Sequence, residues 1–512
     1  MTQELSVSAA VDRKAGGISK KGLSAGSVGL VGAVIIGISC IAPAYTLTGA
    51  LGPTVAEVGL QLPAIFVAGF IPMLLVALGY RELNKAMPDS GTSFTWATRA
   101  FGPWIGWGLI AATVVVLSNL AGIAVDFFYL MLSQIFGNSA EIAGLAGNPF
   151  INVGTCLVFI LIATWISYRD MQTTQKVQYW LVGFQLIVLV GFGILAFVHI
   201  ANGSAFDPTP VSLEWFNPFA VTSFSAFAAG LSLSIFIFWG WDVTLTMSEE
   251  TKGSRSTPGR AATLTVIIVM VLYLFVAIAA ISFAGVSGDG VGLGNPEIQG
   301  NVFFALAGPA LGPFAVLMSI AVLSSSAASL QSTFVSPART LLAMGHYGAL
   351  PPAYAKVSPR FFTPGYATIA SAIVAAGFYT IMRFVSEDVL WDTITTLGMM
   401  ICFYYGLTAF ACVWYFRRQW FATVRNAFFT FVFPLVGGII LTVLFCTTLI
   451  DSMDPNYGSG SEIFGLGLVF VLGMAILLIG VVIMIVQSRV RPEFFRGETL
   501  SLAAPRYGEL EE

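Results

Sequence analysis

The stretch Gly37-Ile-Ser-Cys-Ile-Ala-Pro43 interrupts the first long apolar block of the chain, which runs from residue 27 to residue 51. Glycine can leave helical geometry, and proline removes one backbone hydrogen bond and clashes with the preceding turn. In lipid, the unpaired backbone groups of a broken helix are tolerated only where they are buried in protein or line a cavity. The stretch therefore predicts either a kinked helix or a broken helix with a functional break.

A second interruption lies in the apolar block at 224–247, which contains Phe236-Ile-Phe-Trp-Gly-Trp-Asp-Val-Thr-Leu-Thr246. Here Gly240 is followed by the carboxylate of Asp242. Ionising a carboxylate inside a membrane costs at least about 2.5 to 3.5 kcal/mol unless it is paired or hydrated. Asp242 is therefore a candidate functional residue; the alternative is that it is solvated near the cytoplasmic end, beside Glu249 and Glu250.

The composition places both interruptions in a membrane protein. Of the 512 residues, 57% are apolar and only 10% are charged, against about 25% charged in a soluble domain. The net charge of -3 offers no basic field for nucleic acid, so nucleic-acid binding is excluded. His199 and His346 have no metal-ligand spacing around them, and no G-x-x-x-x-G-K-[ST] motif is present, so neither a metal, a cofactor nor ATP is expected.

The apolar blocks predict twelve membrane spans, because a crossing needs roughly 20 apolar helical residues. The predicted spans are 27–51, 61–80, 104–134, 150–168, 178–200, 224–247, 262–286, 301–333, 366–384, 393–416, 427–450 and 463–486.

The positive charges support this count, because Lys and Arg collect in cytoplasmic loops. With both termini inside, 22 of the 23 basic residues fall in cytoplasmic segments, and Arg383 is the exception. We therefore predict a multi-pass protein of the plasma (inner) membrane. Cytoplasmic tails at 1–26 and 489–512 flank a twelve-helix domain at 27–488.

The two interrupted spans stand at matching positions. Spans one and six each begin a group of five, at about 27–200 and 224–416, followed by two further spans at about 427–486. Paired interruptions of this kind indicate the binding site of an inverted-repeat transporter. The N-termini of half-helices offer N–H groups to an anion and their other ends offer carbonyls to a cation, which suits a zwitterion.

Three further stretches carry a family resemblance. They are Pro88-Asp-Ser-Gly-Thr-Ser-Phe-Thr-Trp-Ala-Thr-Arg-Ala-Phe-Gly-Pro-Trp-Ile-Gly-Trp107, Phe238-Trp-Gly-Trp-Asp242 with the following Ser-Glu-Glu-Thr251, and Arg339-Thr-Leu-Leu-Ala-Met-Gly-His-Tyr-Gly-Ala-Leu-Pro351 with Thr363-Pro364. Over nearly its full length the chain resembles the amino acid, polyamine and organocation (APC) superfamily of secondary transporters. The resemblance implies an all-α membrane protein of twelve transmembrane helices. It would be a five-plus-five inverted repeat (LeuT-like) with two extra C-terminal helices, in which helices one and six are broken.

The resemblance also implies a mid-membrane substrate site between helices one, three, six and eight. By motif matching, the backbone of Ser39, Cys40 and Ile41 would face a substrate carboxylate. Asn119 on the third helix matches a position that touches substrate polar groups; its alternative role is a hydrogen bond between helices.

In the sixth helix, the resemblance implies that the carbonyls of Phe236 and Trp239 face the substrate amine at the break around Gly240. The ring of Phe236 would close over the substrate. Gly37, Pro43 and Gly240 would be the residues that break the two helices.

We predict that the coupling ion is a proton rather than sodium. Some proton-coupled relatives carry a lysine where this chain has Gln185, and an amide cannot exchange a proton near neutral pH. We therefore assign the proton step to Asp242, with Asp126 as its rival. A sodium site around Gln185, Ser325 and Ser326 is the alternative.

The function that follows is import of an amino acid by proton symport, with the bilayer, a small-molecule substrate and a coupling ion as partners. A carrier of polyamines or other organic cations is the alternative. Asp126 and Asp242 would then pair with amines. The bulky Gly-Ile-Ser-Cys sequence at the first break, which hinders the approach of a carboxylate to the backbone, would not affect such a substrate. A channel lacks support because no charged ring or carbonyl filter repeat is present. An enzyme is not expected, because no Ser/His/Asp or metal constellation occurs.

Overall fold

The structure is a computed structural model that describes residues 18–107, 125, 128–137, 139–385, 389–457 and 460–500. The helices that it bounds are α1 (Leu30–Ile41), α2 (Pro43–Val58), α3 (Leu62–Ala86), α4 (Ser93–Phe101), α5 (Pro103–Trp107), α6 (Ala140–Gly144), α7 (Pro149–Tyr168), α8 (Met171–Ala201), α9 (Phe224–Ile237), α10 (Val243–Thr246), α11 (Thr257–Ala284), α12 (Val302–Leu311), α13 (Val316–His346), α14 (Gly365–Val385), α15 (Val389–Tyr415), α16 (Val424–Asn426), α17 (Phe433–Asp451), α18 (Leu468–Val490) and α19 (Pro492–Phe495).

Shorter elements connect these helices. A π-helical segment, Ala427–Val432, leads into α17, and the strands β1 (Glu462–Ile463) and β2 (Leu466–Gly467) form an antiparallel hairpin before α18. The short 3-10 helices are Gly59–Gln61, Leu145–Gly147, Leu213–Phe216, Pro218–Ala220, Ser248–Glu250, Gln299–Asn301, Gly312–Phe314 and Pro352–Ala355.

Several of the long helices begin at local capping residues. The side chain of Asp170 accepts a hydrogen bond from the N–H of Thr173 at the start of α8, and Ser223 accepts one from Ala226 at the start of α9. Such caps satisfy backbone donors that have no partner within the helix. The sequence thus fixes these helix starts locally.

The described residues contain nine helical segments that are long and apolar enough to cross a membrane. One of them, the nearly continuous segment Leu30–Ala86, holds both of the first two predicted spans. α9, within the sixth predicted span, is a shorter apolar helix of 14 residues. Most of the third predicted span, 104–134, lies outside the described residues, so the count of twelve stays a prediction.

The eighth span begins later than the sequence predicts. In place of one span at 301–333, the structure has the short helix α12, a turn at Gly312–Phe314, and then α13 from Val316 to His346. Gly312 has a φ of 55°, and Pro313 cannot donate a backbone hydrogen bond. These two residues end α12 and move the long helix fifteen residues toward the C-terminus.

The interior of the bundle positions both interrupted spans. α11 packs against α1, α3 and α8, and α13 packs against α1, α7, α8 and α14. The two halves of the first span meet the two halves of the sixth, since α1 contacts α10 and α2 contacts α9. Large apolar side chains on α7, α8, α14, α17 and α18 are exposed, as expected for helix faces that meet lipid.

Both described ends of the chain lie at the same end of the bundle, which we call the terminal face and define by residues 18–29 and 491–500. Lys21 contacts Asp89, and Phe494 packs on Phe94 of the adjoining helix α4. The parts of the predicted tails next to the bundle are therefore packed rather than free. An even number of spans agrees with this shared face.

Candidate functional site

The break in the first span lies at a single residue, Ala42. α1 ends at Ile41, Ala42 has the left-handed angles φ 57° and ψ 68°, and α2 begins at Pro43. A left-handed conformation costs a non-glycine residue roughly 1 to 2 kcal/mol, and proline is favoured at the first helical position because its missing N–H is not needed there. The backbone thus leaves helical geometry at Ala42, directly before Pro43.

The predicted break at Gly37 is not seen, because Gly37 lies inside α1. A Cβ atom at this position would lie 2.6 Å from the Oγ1 of Thr265 and 2.9 Å from a methyl carbon of Thr244. Gly37 therefore permits close packing of α1 against α11 and α10. The sequence alone does not distinguish this role from a helix break.

Polar side chains of α13 satisfy the backbone around Ala42. The Ser325 hydroxyl accepts a hydrogen bond from the N–H of Tyr45 at 3.2 Å, and the Ser329 hydroxyl donates to the carbonyl of Cys40 at 2.7 Å. The Cys40 thiol lies 3.5 Å from the Thr333 hydroxyl. Sequence reasoning missed Ser329 and Thr333, although their spacing of four from Ser325 places all three on one helix face.

The other predicted residues near this break have separate partners. The carbonyl oxygen of Gln185 accepts a hydrogen bond from the N–H of Ala44 at 3.4 Å. The hydroxyls of Ser39 and Ser326 donate to carbonyls of their own helices, those of Ile36 and Val322. The structure thus brings Gln185 and Ser325 to the start of α2, whereas Ser326 bonds within α13.

The break in the sixth span extends from Phe238 to Asp242, between α9 and α10. Gly240 has a φ of 112°, and a Cβ atom there would lie 3.0 Å from the carbonyl carbon of Cys40 and 3.2 Å from its oxygen. Glycine is needed both for the angle and for this close approach. The two breaks therefore touch each other, and Cys40 and Gly240 lie at their contact.

Two tyrosines of α15 hold the carboxylate of Asp242. The Tyr405 hydroxyl donates to Oδ1 at 2.8 Å and the Tyr404 hydroxyl donates to Oδ2 at 3.4 Å. The Gly240 N–H donates to the Tyr405 hydroxyl at 3.4 Å, and the Trp239 indole N–H donates to Tyr404. The sequence did not indicate these tyrosines, because they lie more than 160 residues from Asp242.

No Lys or Arg of the described ranges forms an ion pair with Asp242. Its side chain is half-buried, as is that of Trp239. Asn119 and Asp126 both lie outside the described residues.

A cavity of about 930 Å³ opens toward the end of the bundle opposite the terminal face. Its lining includes Ser225, Ala229, Ser232, Leu233 and Phe236, which follow one side of α9 from its first turn to its last but one residue. The size matches that of pockets for small molecules. Three acidic residues also line the cavity: Glu57, Asp451 and Asp454.

The terminal face is covered by a buried group of ionic side chains. The Lys21 ammonium lies 2.6 Å from Asp89 and 2.6 Å from Glu249, and the Tyr347 hydroxyl donates to Asp89 at 2.5 Å. Burial disfavours the charged forms, but the ion pairs outweigh it, so the pKa of Lys21 is raised and that of Asp89 is lowered. We call Lys21, Asp89, Glu249 and Tyr347 the ionic gate.

Backbone hydrogen bonds and a second buried ion pair lie beside these four residues. The N–H of Val28 donates to the Glu250 carbonyl at 3.0 Å, and the N–H of Lys252 donates to the Val28 carbonyl at 2.8 Å. The Arg339 guanidinium binds both carboxylate oxygens of Glu250, at 2.9 Å for Nη2 to Oε1. The segment before α1 is thus attached beneath the sixth-span break.

Comparison with known proteins gives one family match. A family model described as amino acid permease matches residues 26–471. The chain is 27% identical to the Asc-type amino acid transporter 1 of Mus musculus over 178 residues, which cover 34% of this chain and 32% of that protein.

Two bacterial proteins show similar partial matches. The chain is 27% identical to the branched-chain amino acid permease BcaP of Lactococcus lactis over 179 residues, 32% of this chain and 37% of that protein. It is 25% identical to the aspartate-proton symporter of Bacillus subtilis over 211 residues, 41% of this chain and 39% of that protein. The matches thus span about a third of the length of these relatives, which are named as transporters or permeases, in agreement with the expectation that the chain is not an enzyme.

Proposed function

We propose, because the chain belongs to the amino acid permease family, that it is a secondary active transporter that carries an amino acid across the plasma membrane. The names of the relatives support this substrate class, since each of the three names an amino acid or amino acids in general.

One observation carries the proposal: the cavity opens to one end of the bundle and is lined by α9 as far as Phe236, two residues before the sixth-span break begins at Phe238, while the ionic gate lies at the other end. A transporter that works by alternating access has this arrangement in one of its two states. Substrate would enter the cavity and reach the breaks. Opening of the ionic gate, with closure of the cavity over Phe236, would then release it on the terminal side.

At the breaks, the substrate carboxylate would meet the backbone of Ser39, Cys40 and Ile41, and its amine would meet the carbonyls of Phe236 and Trp239. The N-terminal end of α2, directly after the first break, favours the carboxylate, and the C-terminal end of α9 favours the amine. The hydroxyl of Ser329 already holds the Cys40 carbonyl in place.

Proton symport would use Asp242. The carboxylate has two hydroxyl donors and no cationic partner in the part of the chain that the structure describes, so its charge is free to be neutralised in a cycle. The name of the aspartate-proton symporter supports a proton as the coupling ion. A sodium site at Gln185 and Ser325 is the alternative, since both side chains place oxygen atoms at the start of α2.

A carrier of polyamines or other organic cations is the second candidate. It is favoured by the acidic lining of the cavity, which contains Glu57, Asp451 and Asp454, together with the carboxylate of Asp242, to which no Lys or Arg of the described residues is paired. A carrier of neutral amino acids has less need of this negative potential.

The test is uptake and counterflow in liposomes that contain the purified protein. Saturable uptake of a labelled amino acid, accelerated by the same amino acid inside, would support the proposal; the same behaviour with putrescine alone would favour the cation carrier. Conductance without saturation would instead indicate a channel.

The proton assignment is tested with Asp242→Asn, which keeps the volume of the side chain but fixes a neutral state. An imposed pH gradient should no longer drive accumulation, whereas exchange at equal concentrations should continue. Asp126→Asn serves as the comparison. If Asp242→Asn still concentrates substrate under the gradient, the proton step belongs to Asp126 or the coupling ion is sodium.

The proposed orientation places the terminal face in the cytoplasm, with both chain termini there. A reporter fused after Glu512 should then be active only inside the cell. Activity outside would contradict both the orientation and the predicted count of twelve spans.

A further inference from the structure

The C-terminal residues 492–500 form a compact segment on the terminal face. Phe494 is 0% exposed, Phe495 is 8% exposed and Leu500 is 2% exposed. Burial of three large apolar side chains so close to the end of the chain requires specific receiving surfaces. We call residues 492–500 the strap.

Two surfaces receive the strap. Phe494 stacks on Phe94 of α4, with ring centroids 5.7 Å apart and planes at 21°, and the ring of Phe495 lies 4.8 Å from that of Trp104 in α5. The other surface is the end of α13 and the turn after it, where Met344, Ala349 and Leu350 share one buried cluster with Phe494, Phe495 and Leu500. The strap therefore joins α4 and α5 to the end of α13.

Two members of the ionic gate, Asp89 and Tyr347, are attached to these same two surfaces. Next to Phe94, the hydroxyl of Thr95 donates to Asp89 at 2.8 Å. Tyr347, at the end of α13, packs against the strap cluster and also donates its hydroxyl to Asp89 at 2.5 Å. A movement that separates Asp89 from Lys21 would shift α4 or the end of α13, and either shift would disturb the packing of the strap.

We propose that the strap stabilises the closed state of the ionic gate. The proposal rests on the proposed function only in that the gate is taken to open during a transport cycle. The stabilisation is hydrophobic: the terminal face meets water, so gate movements that expose Phe494 and Phe495 lose the favourable burial of two aromatic side chains. The strap would set the fraction of time that the gate is open.

The test compares four variants with the full chain by hydrogen–deuterium exchange and mass spectrometry, with the protein in detergent and without substrate. The strap is removed by ending the chain after Arg491, and it is weakened by Phe494→Ala combined with Phe495→Ala. A chain that ends after Leu500 keeps the strap and serves as the matched control. Arg496→Ala is a second control, because the Arg496–Glu498 pair is exposed, with 58% and 52% of the two side chains accessible.

Peptides that contain Val28 and Lys252 report on the gate, since their amides hold the segment before α1 in place. Without the strap, these amides should exchange at least about tenfold faster, because burial of one aromatic side chain shifts an equilibrium by that factor or more. Both controls should exchange like the full chain. Equal exchange in all four variants and the full chain would overturn the proposal.

A folding defect is distinguished by the rest of the molecule. Peptides of α11 and α13 should keep their protection from exchange in the strap variants. A variant that loses this protection is replaced by Phe494→Leu, which retains an apolar side chain but not the stacked ring. Unchanged exchange at Val28 in Phe494→Leu would again overturn the proposal. Because no substrate is used, a negative result leaves the transport proposal intact. Absence of transport by the full chain would likewise leave the exchange result intact.

Discussion

Replacement of Lys21 by methionine would remove the cation between Asp89 and Glu249 and leave most of the side-chain volume. Only 3% of the Lys21 side chain and 12% of each acidic side chain are exposed. Loss of one partner from a buried ion pair costs about 3 to 5 kcal/mol, mainly because an unpaired charge stays buried. The closed state of the ionic gate bears this cost, whereas an open gate would hydrate Asp89 and Glu249.

The expected result is a shift of the closed-to-open ratio by a factor of roughly a hundred or more, since each 1.4 kcal/mol corresponds to about tenfold. Accelerated exchange of the Val28 amide measures this shift directly. Substrate accumulation in liposomes should fall as well, because a gate that rarely closes cannot hold a gradient. Lys20→Met is the matched control, as Lys20 is exposed one residue away.

A triple variant separates charge from packing. When Lys21→Met is combined with Asp89→Asn and Glu249→Gln, no unpaired charge remains, and much of the closed state should return. If Lys21→Met exchanges at the rate of Lys20→Met, the ion pairs do not hold the gate and the reasoning is refuted.

Two further results are expected. Between about pH 5 and pH 9, Val28 protection, corrected for the intrinsic pH dependence of exchange, should be constant. The pKa of Asp89 is lowered from about 3.9, so its contribution to the stability of the closed gate is lost only as the pH falls through that lowered pKa. The pKa of Lys21 is raised from about 10.4, so its contribution is lost only as the pH rises through that raised pKa. A midpoint near pH 7 would show that another group controls the gate. Gly240→Ala should lower the free energy of unfolding by about 2 to 4 kcal/mol in chemical unfolding from mixed micelles. The reason is that residue 240 has a positive φ and that a Cβ there would lie close to the backbone of Cys40. Gly49→Ala, where a Cβ meets nothing within 4 Å, should be neutral or slightly stabilising, and equal stabilities of the two variants would contradict this account.

The sequence by itself determined the membrane class, the family resemblance and the positions of the two interrupted spans. These features depend on short-range chemistry: runs of apolar residues match the thickness of a bilayer, and proline and glycine are the residues whose backbone most readily departs from a helix. Pro43 and Gly240 could therefore be read as breaks from their neighbours alone.

Tertiary structure decided how those breaks are completed. Gly37 stays helical, and its missing side chain lets threonines from two other helices approach it closely. The tyrosines that hold Asp242 come from α15, more than 160 residues away. The sequence contains both partners of each contact but not their distance, because the helices could pack in many ways with similar apolar surfaces.

The same limit applies to the terminal face. Positive charge near the N-terminus predicted a cytoplasmic tail, but nothing in the sequence predicted that Lys21 is buried against acidic residues 68 and 228 positions further along the chain. A charge in a polar segment is normally solvated, and it becomes buried only where a folded surface supplies opposite charges to offset desolvation. That surface exists only after the helices have packed, which is why the gate and the strap belong to the tertiary structure and not to any local stretch of sequence.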